Sequence, residues 1–137
     1  MSEPREYGLL QDILEAGKRM LSYTEQVEYD AFLQDTKTQD AVIRNIEIIG
    51  EATKQLSETL KTTYPNVPWN SIAKMRDKLI HHYFGVNLDI VWHVAKTDLP
   101  ALLTYVDDIL EREYQKDLLK NEEDQVIEQE TLRVNTL

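Results

Sequence analysis

The chain has 137 residues, 15 of them basic and 25 acidic, a net charge of -10 and no cysteine. That length suits one domain with a real core, the missing thiols exclude disulfides and thiolate zinc sites, and the acidic balance argues against a long nucleic-acid groove. No apolar run nears the roughly 18 residues of a membrane span, and Met1-Ser2-Glu3-Pro4-Arg5-Glu6 does not read as a signal peptide, so a soluble, cytoplasmic protein is expected.

Helical periodicity dominates from the start. Leu9, Leu10, Ile13, Leu14, Gly17, Met20 and Leu21 recur at spacings of three and four with charges between them, which predicts a helix from about Arg5 to Thr24 with one buried stripe. Tyr29, Phe32 and Leu33 suggest a short extra turn. Asp35, Thr36 and Thr38 then supply capping groups for a second long helix, predicted from about Thr38 to Tyr64. Its buried face should carry Val42, Ile43, Ile46, Ile49, Ala52, Thr53, Leu56 and Leu60. Gly50 is out of place in a helix interior, where it costs up to about 1 kcal/mol relative to Ala, and close helix packing is the plain reason to keep it.

Tyr64-Pro65-Asn66-Val67-Pro68-Trp69 breaks the pattern, and Asn66 or Asn70 can cap a third helix from about Trp69 to Tyr83, with Gly85 as its C-cap. A fourth helical region begins near Asp89 with Ile90, Val91, Trp92 and Val94. It restarts at Asp98 and Pro100, and Leu102, Leu103, Val106, Ile109, Leu110 and Tyr114 carry it to about Lys120. Beyond Asn121 the stripe fades, leaving a frayed helix or an ordered arm as alternatives. The expected fold is all-α, an antiparallel four-helix bundle with a short extra helix. Residues 1–120 are assigned to the bundle and 121–137 to an acidic C-terminal extension.

Charge is unevenly spread. Residues 1–60 carry 6 bases and 12 acids, residues 61–97 carry 5 bases and 2 acids, and residues 98–137 carry 4 bases and 11 acids. The middle block alone is positive, and it contains Met75-Arg76-Asp77-Lys78-Leu79-Ile80-His81-His82-Tyr83-Phe84. Arg76 can hold a phosphate, His81 or His82 can move a proton near neutral pH, and Tyr83 offers a hydroxyl; Lys78 and Asp77 are auxiliary candidates. The plain alternatives are a solvated or salt-bridged Arg76, histidines favoured by a helix end, a packing role for Tyr83 and a structural His93. Adjacent histidines without a third ligand do not make a metal site, so no metal and no cofactor are expected. Phosphate-binding loops, nucleophile elbows and glutamate-histidine zinc motifs are missing.

On one straight helix, His81 is rotated about 140° from Arg76. The two meet if the helix loosens near His81 and Gly85, if long side chains bridge the angle, or if a second copy completes the site. A homodimer suits metal-free RNA cleavage, which needs a base for the ribose 2'-hydroxyl, an acid for the leaving 5'-oxygen and a cation for the phosphorane. Two His81 side chains then divide the proton transfers, while two Arg76 guanidiniums hold the phosphate.

The run of Arg76, four residues, His81, one residue and Tyr83 resembles the Arg-x4-His-x-Tyr motif of the HEPN superfamily. Asp40 to Ala52, Tyr64 to Trp69, the motif helix, and Ile90 through Pro100 are similar to its HepT-like branch, also catalogued as domain of unknown function 86. The resemblance spans roughly residues 5–115. It implies a homodimeric, metal-independent endoribonuclease, the toxin of a type VII toxin-antitoxin system, with Arg76 and His81 catalytic. The implied substrate is RNA, with neither DNA nor a membrane as partner. An MntA-type nucleotidyltransferase antitoxin is implied as the partner that silences it by AMPylation of Tyr83. A noncatalytic helical module that binds a nucleotide or docks a nucleotidyltransferase is the alternative, favoured by the charge of -10.

Overall fold

A computed structural model describes residues 4–81 and 85–135, for Pro4, Ile80 and His81 the backbone alone. Helix α1 spans Pro4–Thr24, α2 Tyr29–Leu33 and α3 Thr36–Lys54. Asp35 caps α3, accepting from the Thr38 amide at 3.1 Å and the Thr38 hydroxyl at 2.5 Å. Those bonds, the hydroxyl's first, hold its carboxyl below the ordinary range. The α1 stripe packs on α3 as its spacing predicts: Leu10, Ile13 and Met20 meet a core containing Val42, Ile46 and Ile49, all fully buried. Leu21, expected in that stripe, is instead exposed.

The second long helix is interrupted. Helix α3 stops at Lys54, and α4 (Glu58–Thr63) begins afresh after Ser57. The Ser57 hydroxyl accepts from the Leu60 amide at 3.1 Å, and the Ser57 amide donates to Glu6 Oε1 of α1 at 2.6 Å. These polar partners replace the ladder that a continuous helix would need. Leu56 and Leu60 still reach the core, so the apolar pattern runs through the break without revealing it.

The predicted third helix is also divided. Helix α5 covers Trp69–Ala73 and α6 covers Met75–Leu79, and then the chain becomes extended. Pro68 occupies the N-cap of α5 without a side-chain cap bond, so neither Asn66 nor Asn70 has the predicted role. Strand β1 (Ile80–His81) pairs antiparallel with β2 (Gly85–Val86), Ile80 opposite Val86 and His81 opposite Gly85. Gly85 has a φ of 81°, so its conformational freedom is used, but at the start of β2 rather than at a helix C-cap. The Asn87 amide donates to the Leu79 carbonyl at 2.7 Å, closing the segment onto the end of α6.

Asn87 caps α7 (Leu88–His93), its side chain accepting from the Asp89 and Ile90 amides at 3.1 and 3.2 Å. One π-helical turn, Val94–Asp98, leads into α8 (Leu99–Asn135) without the predicted restart. Pro100 has no amide proton and its ring crowds the carbonyl four residues earlier; a wider turn relieves both. On α8, Leu102, Val106 and Ile109 are buried, but Tyr114 is exposed and Glu113 is buried in its place. Glu113 Oε1 accepts from the Tyr64 hydroxyl at 2.6 Å. The helix continues to Asn135, with every residue from Leu118 to Asn135 exposed. The architecture is all-α, a four-helix HEPN-like arrangement with more breaks than predicted. Among the described residues no helix is long and apolar enough to cross a membrane.

Candidate functional site

Arg76 comes to the surface because its neighbours do not. Met75 and Leu79, four apart on α6, are buried and pin the short helix to the core, leaving Arg76, Asp77 and Lys78 exposed. Gly50 permits this seating: a Cβ added there would lie 3.3 Å from the Ala73 carbonyl oxygen and 3.8 Å from that of Ile72. The close-packing role expected for that glycine is therefore met.

Arg76 opens onto a groove of about 460 Å³, whose polar lining includes Asp12, Arg44, Glu47, Glu51 and Gln55. Its Nε lies 3.7 Å from Glu47 Oε1, the side chains being 49% and 33% exposed. The other oxygen of the same carboxylate lies 3.7 Å from Arg44 Nη1, and the Arg44 side chain is 72% exposed. Such exposed pairs contribute about 0–1 kcal/mol, so either guanidinium can exchange Glu47 for another anion at little cost. Sequence reasoning singles out neither Arg44 nor Glu47 as a site residue. The available signal is their i, i+3 spacing on the polar face of α3.

Lys78, two residues beyond Arg76, is turned away. It borders a second hollow of about 630 Å³, largely apolar, shared with Met75, His93, Asp98 and Tyr105. The structure does not unite Lys78 with Arg76. His93 is exposed, its Nε2 3.8 Å from Asp98 Oδ1, on the rim of that second hollow. Asp77 is exposed on the intervening position of α6. No group of three or more His, Asp or Glu among the described residues is arranged to hold a metal ion.

The backbone of His81 belongs to β1, whereas its side chain, and all of His82 and Tyr83, lie outside the described residues. With α6 ending at Leu79, the 140° separation of a straight helix does not apply to Arg76 and His81. The angular reason for requiring a second copy goes with it, and what remains for a dimer is the chemical demand for both a base and an acid.

The sequence model of the family described as "HepT-like: Ribonuclease HepT-like" matches residues 13–109. The chain belongs to the HepT-like family. A Methanocaldococcus jannaschii protein called "Putative RNase MJ0127" is 46% identical over 101 residues, covering 74% of this chain and 84% of that protein. "Probable ribonuclease HepT" of Thermococcus cleftensis is 47% identical over 93 residues, 68% of this chain and 84% of the relative. "Putative RNase TTE0752" of Caldanaerobacter subterraneus subsp. tengcongensis is 39% identical over 113 residues, 82% of this chain and 99% of the relative. No solved structure matches. The HepT-like match takes in Arg44, Glu47, Arg76 and His81 and stops before the exposed part of α8.

Proposed function

We propose that this protein is a metal-independent endoribonuclease, the toxin of a type VII toxin-antitoxin pair, in which Arg76 holds the scissile phosphate and His81 transfers protons. The observation that carries the reading is the setting of Arg76. A permanent cation stands at the mouth of a groove, on a helix that ends three residues later and releases His81 from helical register. Family membership and relatives named as RNases support the substrate class.

In this mechanism the ribose 2'-oxygen loses its proton to a histidine and attacks the adjacent phosphorus. The bond to the 5'-oxygen breaks, and that oxygen takes a proton from a second donor, leaving a 2',3'-cyclic phosphate and a 5'-hydroxyl. Arg76 compensates the charge on the phosphorane. His81 from each of two copies supplies base and acid, which makes the functional form a homodimer. Residues 1–120 are the functional unit, and 121–137 are an extension to it.

Control falls to Tyr83. A nucleotidyltransferase antitoxin of the MntA type transfers AMP from ATP: the Tyr83 oxygen bonds to the α-phosphorus and pyrophosphate leaves. The added bulk and negative charge, seven positions from Arg76 in the sequence, oppose RNA by sterics and repulsion. His82, between the two assigned residues, is the auxiliary proton carrier to be tested.

Cleavage of RNA by the purified chain in EDTA tests the chemistry. Arg76→Ala and His81→Ala should each abolish most activity, whereas His82→Ala should lose less, in keeping with an auxiliary role. Undiminished cleavage by either of the first two defeats the assignment. Intact mass after coexpression with the nucleotidyltransferase should show AMP on the wild type and none on Tyr83→Phe. The noncatalytic docking module has its own support in the carboxylates Asp12, Glu47 and Glu51 that share the Arg76 groove. RNA left intact by a folded wild type that still binds the nucleotidyltransferase would favour that module.

A further inference from the structure

Arg44 lies outside the Arg76-to-Tyr83 motif, on a different helix, yet it borders the same groove as Arg76. One carboxylate connects them, with Glu47 Oε1 3.7 Å from Arg76 and Oε2 3.7 Å from Arg44. Two exposed guanidiniums on separate elements would repel each other into solvent without a counter-charge. Glu47 supplies one from α3, whose core contacts through Ile46 and Ile49 hold it in place. Both N to O distances exceed the 2.7–2.9 Å of a charge-assisted hydrogen bond, so neither fork is committed to the carboxylate.

We infer that Arg44 is a second phosphate-binding side chain of the ribonuclease groove, holding an RNA phosphate beside the scissile one, and that Glu47 is a positioning residue keeping both guanidiniums over the groove. This rests on the role proposed for Arg76. Arg76 acts at the reacting phosphate, and its loss lowers turnover. Arg44 binds a phosphate that does not react, so it contributes to ground and transition states alike and its loss appears in KM. Glu47 reaches RNA only through the arginines. Its own charge repels RNA, so two accounts of it predict opposite signs: a merely repulsive carboxylate improves binding and cleavage when removed, whereas a positioning carboxylate lowers turnover when removed.

The test uses the full chain, with cleavage of a single-stranded RNA in EDTA and, separately, binding of a 2'-O-methylated RNA that cannot be cut. Arg44→Ala should raise KM about tenfold with kcat within about twofold, a loss of about 1.4 kcal/mol in binding. It should also make the slope of log affinity against log salt shallower by about 0.7, one phosphate contact on a single strand. Arg44→Lys should recover the slope but not all of the affinity, because an ammonium lacks the planar fork. Glu47→Ala should lower kcat about tenfold, with RNA binding changed little because relief of its repulsion offsets the freed Arg44, and Glu47→Asp should recover part of the lost turnover. Unchanged KM and salt slope in Arg44→Ala would overturn the assignment of Arg44. Faster cleavage by Glu47→Ala would overturn the positioning role. Full activity in Arg76→Ala would instead sink the assigned ribonuclease chemistry, while the uncleavable RNA still reports whether Arg44 binds a phosphate. Arg44 is largely exposed, so its variants should fold, as matching thermal melts with the wild type would verify.

Discussion

The α1–α3 face and the stretch from α5 through β1 are built on different rules. Along α1 and α3 the apolar spacing and the burial agree turn after turn, Leu21 near the end of α1 excepted, because each side chain is placed by its own helix and satisfied by the helix opposite. Between Trp69 and His81 there are two five-residue helices and then a strand of two residues. Neither helix is long enough to persist alone, so each is held by a few buried anchors such as Trp69, Ile72, Met75 and Leu79. Regular structure makes the frame and carries Arg44 and Glu47; Arg76 and His81 sit where regularity fails and the chain can be aimed.

The sharpest way to break the contrast is to alter one residue on each side of it. Arg76→Ala should leave the melting temperature nearly unchanged while reducing RNA cleavage by about 10² or more, a scale typical for a positioned charge at a reacting group. A comparable loss of fold stability would mean that Arg76 belongs to the frame instead. Gly50→Leu should show the reverse priority, losing about 1–3 kcal/mol in urea unfolding, because its side chain would press on the backbone of α5. Gly17→Ala should cost less, since the added methyl meets the flexible end of Leu103. Should the two glycines prove equal, backbone contact is not what fixes α5.

A smaller effect tests the polar tie between α8 and the chain just after α4. Removing the Tyr64 partner by Glu113→Ala should cost on the order of 1 kcal/mol. Burial alone would raise the Glu113 pKa, but the Tyr64 hydroxyl and Lys116 together hold it below its ordinary value. Its contribution is therefore present above the unfolded carboxyl's pKa and is lost as pH falls through the folded one. Burial, then the hydrogen bond and charge of Glu113, raise the Tyr64 pKa. That contribution is present below about pH 10 and disappears as pH rises through the folded value. Acid and alkaline melts of the wild type and Glu113→Ala should converge at those two extremes, and a constant difference across pH would refute the coupling. The smallest change should follow deletion of residues 118–137, whose described side chains bury nothing against the bundle: a melting temperature within a few degrees of the full chain.

Sequence pattern reveals the buried positions better than the boundaries. Leu56 and Leu60 keep helical spacing across the interruption at Ser57, since periodicity records which side faces the core and not whether hydrogen bonds are continuous. Glu113 is not legible as a buried residue in the sequence because its partner, Tyr64, is 49 residues away and nothing local announces a buried carboxylate. Likewise the motif residues Arg76 and His81 stand out by type and spacing, whereas Arg44 and Glu47 become site candidates only when α3 and α6 are seen to share a groove. The end of α6 at Leu79 depends on pairing across Gly85 and Val86, a tertiary event hidden from the preceding residues.

Helix α8 joins a buried segment to a bare one through a single hydrogen-bonded ladder. In amide hydrogen exchange it should behave as a gradient, slow near Leu102 and Val106, where opening requires the core to part, and fast toward Asn135, where no described side chain is buried. One uninterrupted helix therefore contains two opening regimes.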